Sequence, residues 1–135
     1  MGKEATYIQK KDKRPWGSFE VLSGIKIKSN KQVNSLQGED CVIKYLNVKP
    51  EQVLSYQSHK MRRENWIVVQ GCAKITIDGH EQILFPGQSA VIQARQKHRL
   101  ANPDKTKDLI VVEVSTGTFN EKDNTRYDDI YNRNK

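Results

Sequence analysis

Four side chains suited to metal binding occur in segments whose pattern predicts packed β structure: Gln57, His59, Glu64 and His98. Ionisable groups of this kind are costly to bury unless they are paired or bound to a metal. A set of nitrogen and oxygen ligands without thiolate suits zinc, manganese, iron, cobalt or nickel, and it does not choose among them. Gln57 and His59 are two residues apart, which predicts that both point to one face of a strand. We expect Glu64 to lie on the strand paired with theirs and His98 to come from a later hairpin.

The elements that must position these residues have the pattern of short strands separated by turns. Asp78-Gly79 is a hairpin signal and Pro86-Gly87 marks another turn, whereas a helical pattern occurs only around residues 128–133. Many short strands with frequent turns predict an all-β sandwich or barrel, with Trp16 and Trp66 in its core. The predicted strands are 14–22, 41–48, 52–57, 65–69, 74–77, 81–85, 89–92, 99–100 and 109–114.

The length of 135 residues predicts one domain, which we place at residues 14–135, preceded by an N-terminal arm or edge strand at residues 1–13. Residues 29–40 are expected to form a polar loop. No apolar run has the length of a membrane span, and no secretory signal pattern follows Met1. Cys41 and Cys72 are not closely spaced, so we expect reduced cysteines and a cytoplasmic protein.

The formal net charge of +7 is compatible with nucleic acid, a membrane surface or an anionic metabolite as partner. The lysines and arginines are scattered, and the chain has no base-reading motif or interleaved basic and aromatic residues. We therefore expect neither nucleic acid nor membrane as a partner. An anionic small molecule and a simply solvated basic surface both remain open.

The spacing of the possible ligands resembles the two motifs of the cupin family. The first motif corresponds to the strand 53–59 followed by Glu64 and Gly71, and the second to Gly87 followed by His98 and Asn102. Glu51 replaces a glycine of the first motif, and residues 93–95 replace the usual Pro-x-Gly turn of the second. The resemblance implies a cupin double-stranded β-helix, a jelly-roll barrel of two sheets.

Four further segments resemble the C-terminal domain of type II mannose-6-phosphate isomerases, which in bacteria is usually fused to a mannose-1-phosphate guanylyltransferase. Here we expect a stand-alone domain. The resemblance implies a divalent metal ion held by Gln57, His59, Glu64 and His98, with zinc as the first choice and cobalt, manganese, nickel or magnesium as alternatives. The segments are 14–22, 62–69, 97–103 and 128–133.

The same resemblance assigns a catalytic role to Arg62, and Glu64 is the chemical candidate for the base, although a metal ligand is a weakened base. Lys97, Arg99 and Arg126 are candidates for substrate binding. Strand alternation, however, puts Lys97 and Arg99 on the face opposite His98.

One substitution near the ligands departs from the family pattern. Asn65 stands where the family has histidine, and an asparagine cannot exchange a proton near neutral pH. We interpret this as the loss of a titratable group beside the site, which puts turnover rather than binding in question.

Three functions follow from this interpretation. The first is a metal-dependent isomerase that interconverts mannose 6-phosphate and fructose 6-phosphate in GDP-mannose and polysaccharide biosynthesis. The second is a non-catalytic cupin that binds a sugar phosphate or nucleotide sugar, and the third is a cupin isomerase or epimerase acting on another sugar. A homodimer is also expected, in which the N-terminal arm could exchange between subunits as an edge strand.

Overall fold

The computed structural model describes residues 3–7, 11–29, 40–120 and 122–131. All of its regular elements are β-strands, and every strand pairing is antiparallel. The all-β prediction is therefore confirmed. The strands are β1 (Lys3–Tyr7), β2 (Lys11–Arg14), β3 (Gly17–Ser29), β4 (Asp40–Val48), β5 (Tyr56–Ser58), β6 (Arg62–Gln70), β7 (Ala73–Ile77), β8 (His80–Leu84), β9 (Ser89–Ile92), β10 (His98–Ala101), β11 (Leu109–Gly117) and β12 (Thr125–Asp128).

The strands form two sheets. The first has seven strands in the order β1-β3-β4-β11-β6-β9, with β2 also paired to β3, and the second has five in the order β12-β5-β10-β7-β8. Strand β1, from the predicted N-terminal arm, pairs with β3 at the edge of the first sheet within the same chain. None of the described residues forms a helix able to cross a membrane.

Side-chain alternation along the strands builds the core. On β11 every second residue from Leu109 to Gly117 is buried, and β4 buries Val42, Leu46 and Val48 in the same way. Trp16 and Trp66, 5% and 1% exposed, belong to this core, as predicted. Each sheet therefore has one face turned away from solvent, and polar side chains on that face are buried between the sheets.

Several predicted boundaries shift. The first predicted strand begins at Gly17 instead of residue 14, because Pro15 and Trp16 form the turn between β2 and β3. The strand predicted at 52–57 is shorter and later, with only an isolated bridge from Val53 to Ala101 before β5. The C-terminal segment forms β12 and a turn where a helical pattern was predicted. Most of the predicted loop at 29–40 lies outside the described residues.

Candidate metal centre and cavity

Three buried side chains converge between the two sheets. Nε2 of His59 lies 3.5 Å from Oε2 of Glu64, and Nε2 of His98 lies 3.4 Å from Oε1 of the same carboxylate. The exposed fraction of each of the three side chains is 4% or less. One potential ligand atom from each residue lies within 4.8 Å of the others, so all three can contact a single ion. We call these residues the His-Glu-His cluster.

The cluster joins the two sheets. Glu64 is on β6 of the first sheet, where it pairs with Ser115 and Ile92. His98 is on β10 of the second sheet, and His59 directly follows β5 of that sheet. The prediction that Glu64 lies on the strand paired with that of Gln57 and His59 is therefore wrong. The short turn after His59 leads the chain from one sheet to the other, and the ligands face each other across the interior.

Hydrogen bonds to both histidines favour metal binding. Nδ1 of His59 lies 2.7 Å from the carbonyl oxygen of Asp123, and Nδ1 of His98 lies 3.0 Å from that of Gln96. A carbonyl oxygen only accepts, so each Nδ1 donates, which leaves Nε2 on the side of Glu64 and able to bind a metal ion when the ring is neutral. Nε2 of His98 is buried and forms no hydrogen bond of regular geometry with any described residue, although Oε1 of Glu64 is 3.4 Å away. An orphaned ring nitrogen beside a carboxylate and a second imidazole fits a divalent ion.

The electrostatics of the cluster follow from burial and from the shared carboxylate. Burial lowers the pKa of His59 to about 4, because desolvation penalises the imidazolium. Burial alone would raise the pKa of Glu64, but His98, His59 and Arg62 outweigh it and lower that pKa below its ordinary value. Burial lowers the pKa of His98, and the attraction of Glu64 more than offsets this, so the pKa of His98 is raised. Glu64 is thus held as a carboxylate, the form that binds a cation.

A cavity of about 480 Å³ opens beside the cluster. Gln57 lines it and is the cross-strand neighbour of His98, while its Oε1 accepts a hydrogen bond of 3.3 Å from the hydroxyl of Ser55. Arg126 on β12 also lines the cavity, opposite Gln57 in the β5–β12 register. The structure therefore brings Gln57 and Arg126 to the cavity that His59 and Glu64 of the cluster also line. Arg133, the last residue of the segment 128–133 that resembles the isomerase family, lies outside the described residues.

Arg62 is the cation nearest to the cluster. Its Nε donates to Oε2 of Glu64 at 3.3 Å, and one terminal nitrogen lies 3.3 Å from Nε2 of His59. The other terminal nitrogen donates to the carbonyl oxygen of Asn120 at 3.2 Å. The guanidinium carbon lies 4.6 Å from the ring centre of Phe119. These contacts place the charge of Arg62 inside the cavity beside the cluster.

Lys97 and Arg99 do not reach the cavity. The Lys97 ammonium lies 4.4 Å from the ring centre of Tyr127, and the Arg99 guanidinium bonds Asp128 Oδ2 at 2.8 Å. Strand alternation explains this placement, since His98 between them points inward. Their assignment to substrate binding is corrected accordingly: neither lines the cavity.

Asn65 also lies outside the cavity lining. It alternates on β6 with Glu64 and Trp66, which are buried on the inner face, whereas Asn65 is half-exposed on the other face. The interpretation that the asparagine removes a titratable group beside the site is therefore wrong. The turn at residues 93–95 contacts the site directly, since Arg95 adopts a φ of 70° and its amide donates to the carbonyl oxygen of His59.

Glu113 and Lys44 are two of the four charged residues of the cavity lining that were missed in the sequence; the others are Arg14 and Lys122. Glu113 is 6% exposed, and its Oε1 accepts a hydrogen bond of 3.0 Å from Nε1 of Trp66. Lys44 is its direct cross-strand partner and also lines the cavity. The signal was present, since each stands at an inner-face position of an otherwise apolar strand, beside Val111 on β11 and Val42 on β4.

Burial, followed by the charge of Glu64, raises the pKa of Glu113 above its ordinary value. Its Oε2 lies 3.4 Å from the hydroxyl of Ser115, which is also 3.5 Å from Oε2 of Glu64. A single serine hydroxyl therefore links the carboxylate of the cluster to a second carboxylate that lies outside it.

The segment after β11 forms hydrogen bonds to His59, Arg62 and the turn between them. The Asp123 carboxylate accepts hydrogen bonds of 2.9 Å from the amides of Lys60 and Met61, and the Asp123 carbonyl bonds His59. The carbonyl of Asn120 accepts from Arg62 in the same segment. These contacts join residues about sixty positions apart, and no local pattern in the sequence indicates them.

Comparison with protein families gives one match over most of the chain. The family model described as mannose-6-phosphate isomerase C-terminal matches residues 1–129. Curated relatives include the alginate biosynthesis protein AlgA of Pseudomonas fluorescens, 37% identical over 121 residues, which are 89% of this chain and 22% of the relative. The mannose-1-phosphate guanylyltransferase of Escherichia coli K12 is 33% identical over 133 residues, 98% of this chain and 25% of the relative. The chain thus spans about a quarter of the length of these relatives.

Solved structures share the fold. The capsular polysaccharide assembling protein CapF of Staphylococcus aureus aligns with a TM-score of 0.65 and 16% identity over 91% of this chain and 35% of its own. A sugar phosphate isomerase of the cupin superfamily from Silicibacter pomeroyi aligns with a TM-score of 0.53 and 20% identity over 58% of this chain and 51% of its own. With the two antiparallel sheets described above, these likenesses confirm the predicted cupin fold.

Proposed function

The chain belongs to the family of the mannose-6-phosphate isomerase C-terminal domain, and from this premise we propose that it is a metal-dependent isomerase that interconverts mannose 6-phosphate and fructose 6-phosphate. The observation that supports it best is the buried His-Glu-His cluster beside a cavity that also contains Arg62 and Glu113. The names of relatives that act in alginate biosynthesis and in mannose-1-phosphate metabolism support a role in polysaccharide precursor synthesis.

The reaction moves a proton between C2 and C1 of the sugar through an enediol. It requires a group that polarises the two oxygens, a base near the carbon atoms and cations for the negative charge. A divalent ion held by His59, Glu64 and His98, with Gln57 as a further ligand, supplies the Lewis acid. Zinc is our first choice, and cobalt, manganese, nickel and magnesium are the alternatives to be tested.

Glu113 is the better candidate for the base in this proposal. Glu64 has a lowered pKa and its oxygens face two histidines and Arg62, so it is a poor proton acceptor. Glu113 is a buried carboxylate in the same cavity with a raised pKa, and Trp66 fixes its orientation. A base whose pKa is raised towards neutrality transfers protons more effectively at physiological pH.

Arg62 serves as the cation that stabilises negative charge on the sugar oxygens. Its guanidinium is held by four groups, namely Glu64, His59, Asn120 and the ring of Phe119, so its position is set before a substrate enters. Preorganised charge of this kind requires little rearrangement during the reaction.

The two free cysteines suit a reducing compartment, so the proposal keeps the cytoplasm as the location.

The test is a coupled assay of mannose 6-phosphate conversion on metal-stripped protein resupplied with each of the five ions. We expect one or more ions to restore turnover, and we expect Glu113→Gln to reduce kcat by about 10²- to 10⁴-fold. Arg62→Lys should also lose activity, with Arg63→Lys as the matched control, because Arg63 is adjacent and does not line the cavity.

Other outcomes separate the alternatives. Turnover of a different sugar phosphate would identify another substrate. No turnover with any ion, while mannose 6-phosphate still raises the melting temperature, would reject the isomerase and leave a binding cupin.

A further inference from the structure

One wall of the cavity consists of alternating cations and aromatic rings. The Arg14 guanidinium lies 5.0 Å from the ring centre of Phe19. The Lys44 ammonium lies between two rings, 5.0 Å from the centre of Phe19 and 5.0 Å from the centre of Phe119. Arg62 then lies 4.6 Å from the ring of Phe119. All five residues line the cavity. The row leads from the partly exposed Arg14, which also pairs with the exposed Asp12 at 3.4 Å, to the buried Arg62 beside the His-Glu-His cluster.

Lys44 is the unusual member of this row. It is half-buried on the inner face of β4, where its neighbours on that face, Val42 and Leu46, belong to the core. Its ammonium forms no hydrogen bond or ion pair with any residue in the part of the chain that the structure describes. Its cross-strand neighbour Glu113 is beyond ion-pair distance and bonds Trp66 instead. With no anionic partner among those residues, the ammonium rests against two aromatic rings and is available to an anionic ligand in the cavity.

The charges of the cavity lining favour an anionic ligand. Among the described residues, two carboxylates line it, Glu64 and Glu113, against five lysine and arginine side chains. One carboxylate is already shared by Arg62 and the two histidines, so it does not neutralise the cations further out. The cations are Arg14, Lys44, Arg62, Lys122 and Arg126. Basic side chains therefore outnumber carboxylates in the lining, and Arg14 and Lys44 lie further along the row of rings from the cluster than Arg62 does.

The geometry points to a phosphate subsite formed by Lys44 and Arg14, which takes the phosphomonoester end of a sugar phosphate while the other end of the sugar reaches the His-Glu-His cluster. This inference rests on the proposed function for the identity of the sugar, but phosphate binding can be tested without turnover. Lys44 and Arg14 of the cavity wall thus take the phosphate-binding role first expected of Lys97 and Arg99, which point away from the cavity. Phenylalanine rings between the cations offer apolar surface to the sugar carbons.

The experiment measures binding by calorimetry at constant ionic strength, using mannose 6-phosphate, inorganic phosphate and unphosphorylated mannose as ligands. Lys44→Met keeps the aliphatic stem against the two rings and removes the charge. We expect it to weaken mannose 6-phosphate and inorganic phosphate by about 10- to 100-fold, the range for one lost charge-assisted contact, with mannose unchanged. Lys44→Arg should retain most of the affinity.

The control is Lys74→Met, which removes the same charge from an exposed residue paired with Glu81 at 2.8 Å outside the cavity. Arg14→Gln tests the outer end of the subsite and is also expected to weaken phosphate binding. It serves as the test variant if Lys44→Met proves unstable. Unchanged phosphate affinity in Lys44→Met, or an equal loss of mannose, would overturn the subsite. So would tighter binding of GDP-mannose than of mannose 6-phosphate, because the subsite is assigned to a phosphomonoester.

The same data separate this inference from the proposed function. Lys44-dependent phosphate binding without isomerisation would support the subsite and reject the isomerase. Isomerisation that does not depend on Lys44 would support the isomerase and reject the subsite.

Discussion

His59 is a histidine whose surroundings keep it neutral. It is 4% exposed, its Nδ1 donates to a backbone carbonyl, and burial lowers its pKa to about 4 from an ordinary value of 6.5. A neutral imidazole, whose Nε2 carries a lone pair, is the form that binds metal ions. The same environment that suits His59 to metal binding therefore makes the folded protein sensitive to acid.

We predict that metal-stripped protein loses stability through His59 as the pH falls from 7 to 5. The unfolded chain binds more protons than the folded one between the two pKa values, so this contribution is present above pH 6.5 and is lost as the pH falls towards 4. The loss for this one group is about 2 kcal/mol between pH 7 and 5. Urea denaturation of the wild type and His59→Gln at both pH values measures it, and the variant should lose about 2 kcal/mol less. An equal loss in both proteins would contradict the assignment.

At the scale of elements, the segment that follows β11 holds the turn between the two sheets. Asp123 binds the amides of Lys60 and Met61 through its carboxylate and His59 through its carbonyl. A second close approach lies at Gly117, which pairs with Arg62 and has a φ of 121°. The position of the ligands therefore depends on a segment that contributes no member of the His-Glu-His cluster.

Asp123→Ala should weaken zinc binding by about 10- to 100-fold, since it loosens the turn that orients His59. We also expect a loss of roughly 2–3 kcal/mol in the free energy of unfolding. Zinc titration and urea denaturation measure the two effects. The control is Asp104→Ala, because Asp104 likewise accepts from two backbone amides, those of Thr106 and Lys107, but lies outside the cavity lining. If both variants lost zinc affinity equally, Asp123 would have no specific positioning role.

Gly117→Ala should destabilise the fold by about 3 kcal/mol, against about 1 kcal/mol for Gly87→Ala. Both glycines have positive φ, but a Cβ at Gly117 would lie 2.6 Å from the carbonyl oxygen of Met61, whereas nothing lies within 4 Å of one at Gly87. The difference between the variants therefore isolates the close approach of β11 to the 61–62 backbone. Denaturation curves of equal midpoint for the two variants would contradict this account.

At the scale of the whole molecule, the candidate ligands connect two sheets that have no strand pairing with each other. Glu64 comes from the seven-stranded sheet, and His98 comes from the five-stranded sheet, with His59 just after a strand of that sheet. An ion bound by all three must stabilise the packing of the sheets against each other, because the unfolded chain does not hold the ligands together. The homodimer remains a prediction.

Zinc at a hundredfold excess over its Kd should stabilise the protein by about 2.7 kcal/mol and raise the melting temperature by roughly 5–10 °C. A chelator should reverse the shift, and His98→Gln should abolish it. His80→Gln is the matched control, since His80 is the one histidine outside the cluster and is exposed on β8. A zinc shift that survives in His98→Gln but disappears in His80→Gln would place the ion elsewhere.

The sequence by itself determined the class of fold and the chemical types at the site. Strand alternation is a local property, so the period of two predicted that Gln57 and His59 share a face and that Lys97 and Arg99 lie opposite His98. The resemblance to known motifs added the ligand set. The same alternation places Lys44 and Glu113 on the inner faces of β4 and β11, so their place in the cavity lining could have been predicted from it.

Only the tertiary structure decided which strands face each other. Pairing between distant strands depends on the packing of the whole chain, and for that reason Glu64 was predicted on the wrong sheet. The contact of Asp123 with His59 and the row of cations from Arg14 to Arg62 also join residues far apart in sequence. Local patterns specify which face a side chain takes, whereas the partner across the cavity is set by closure of the two sheets around one core.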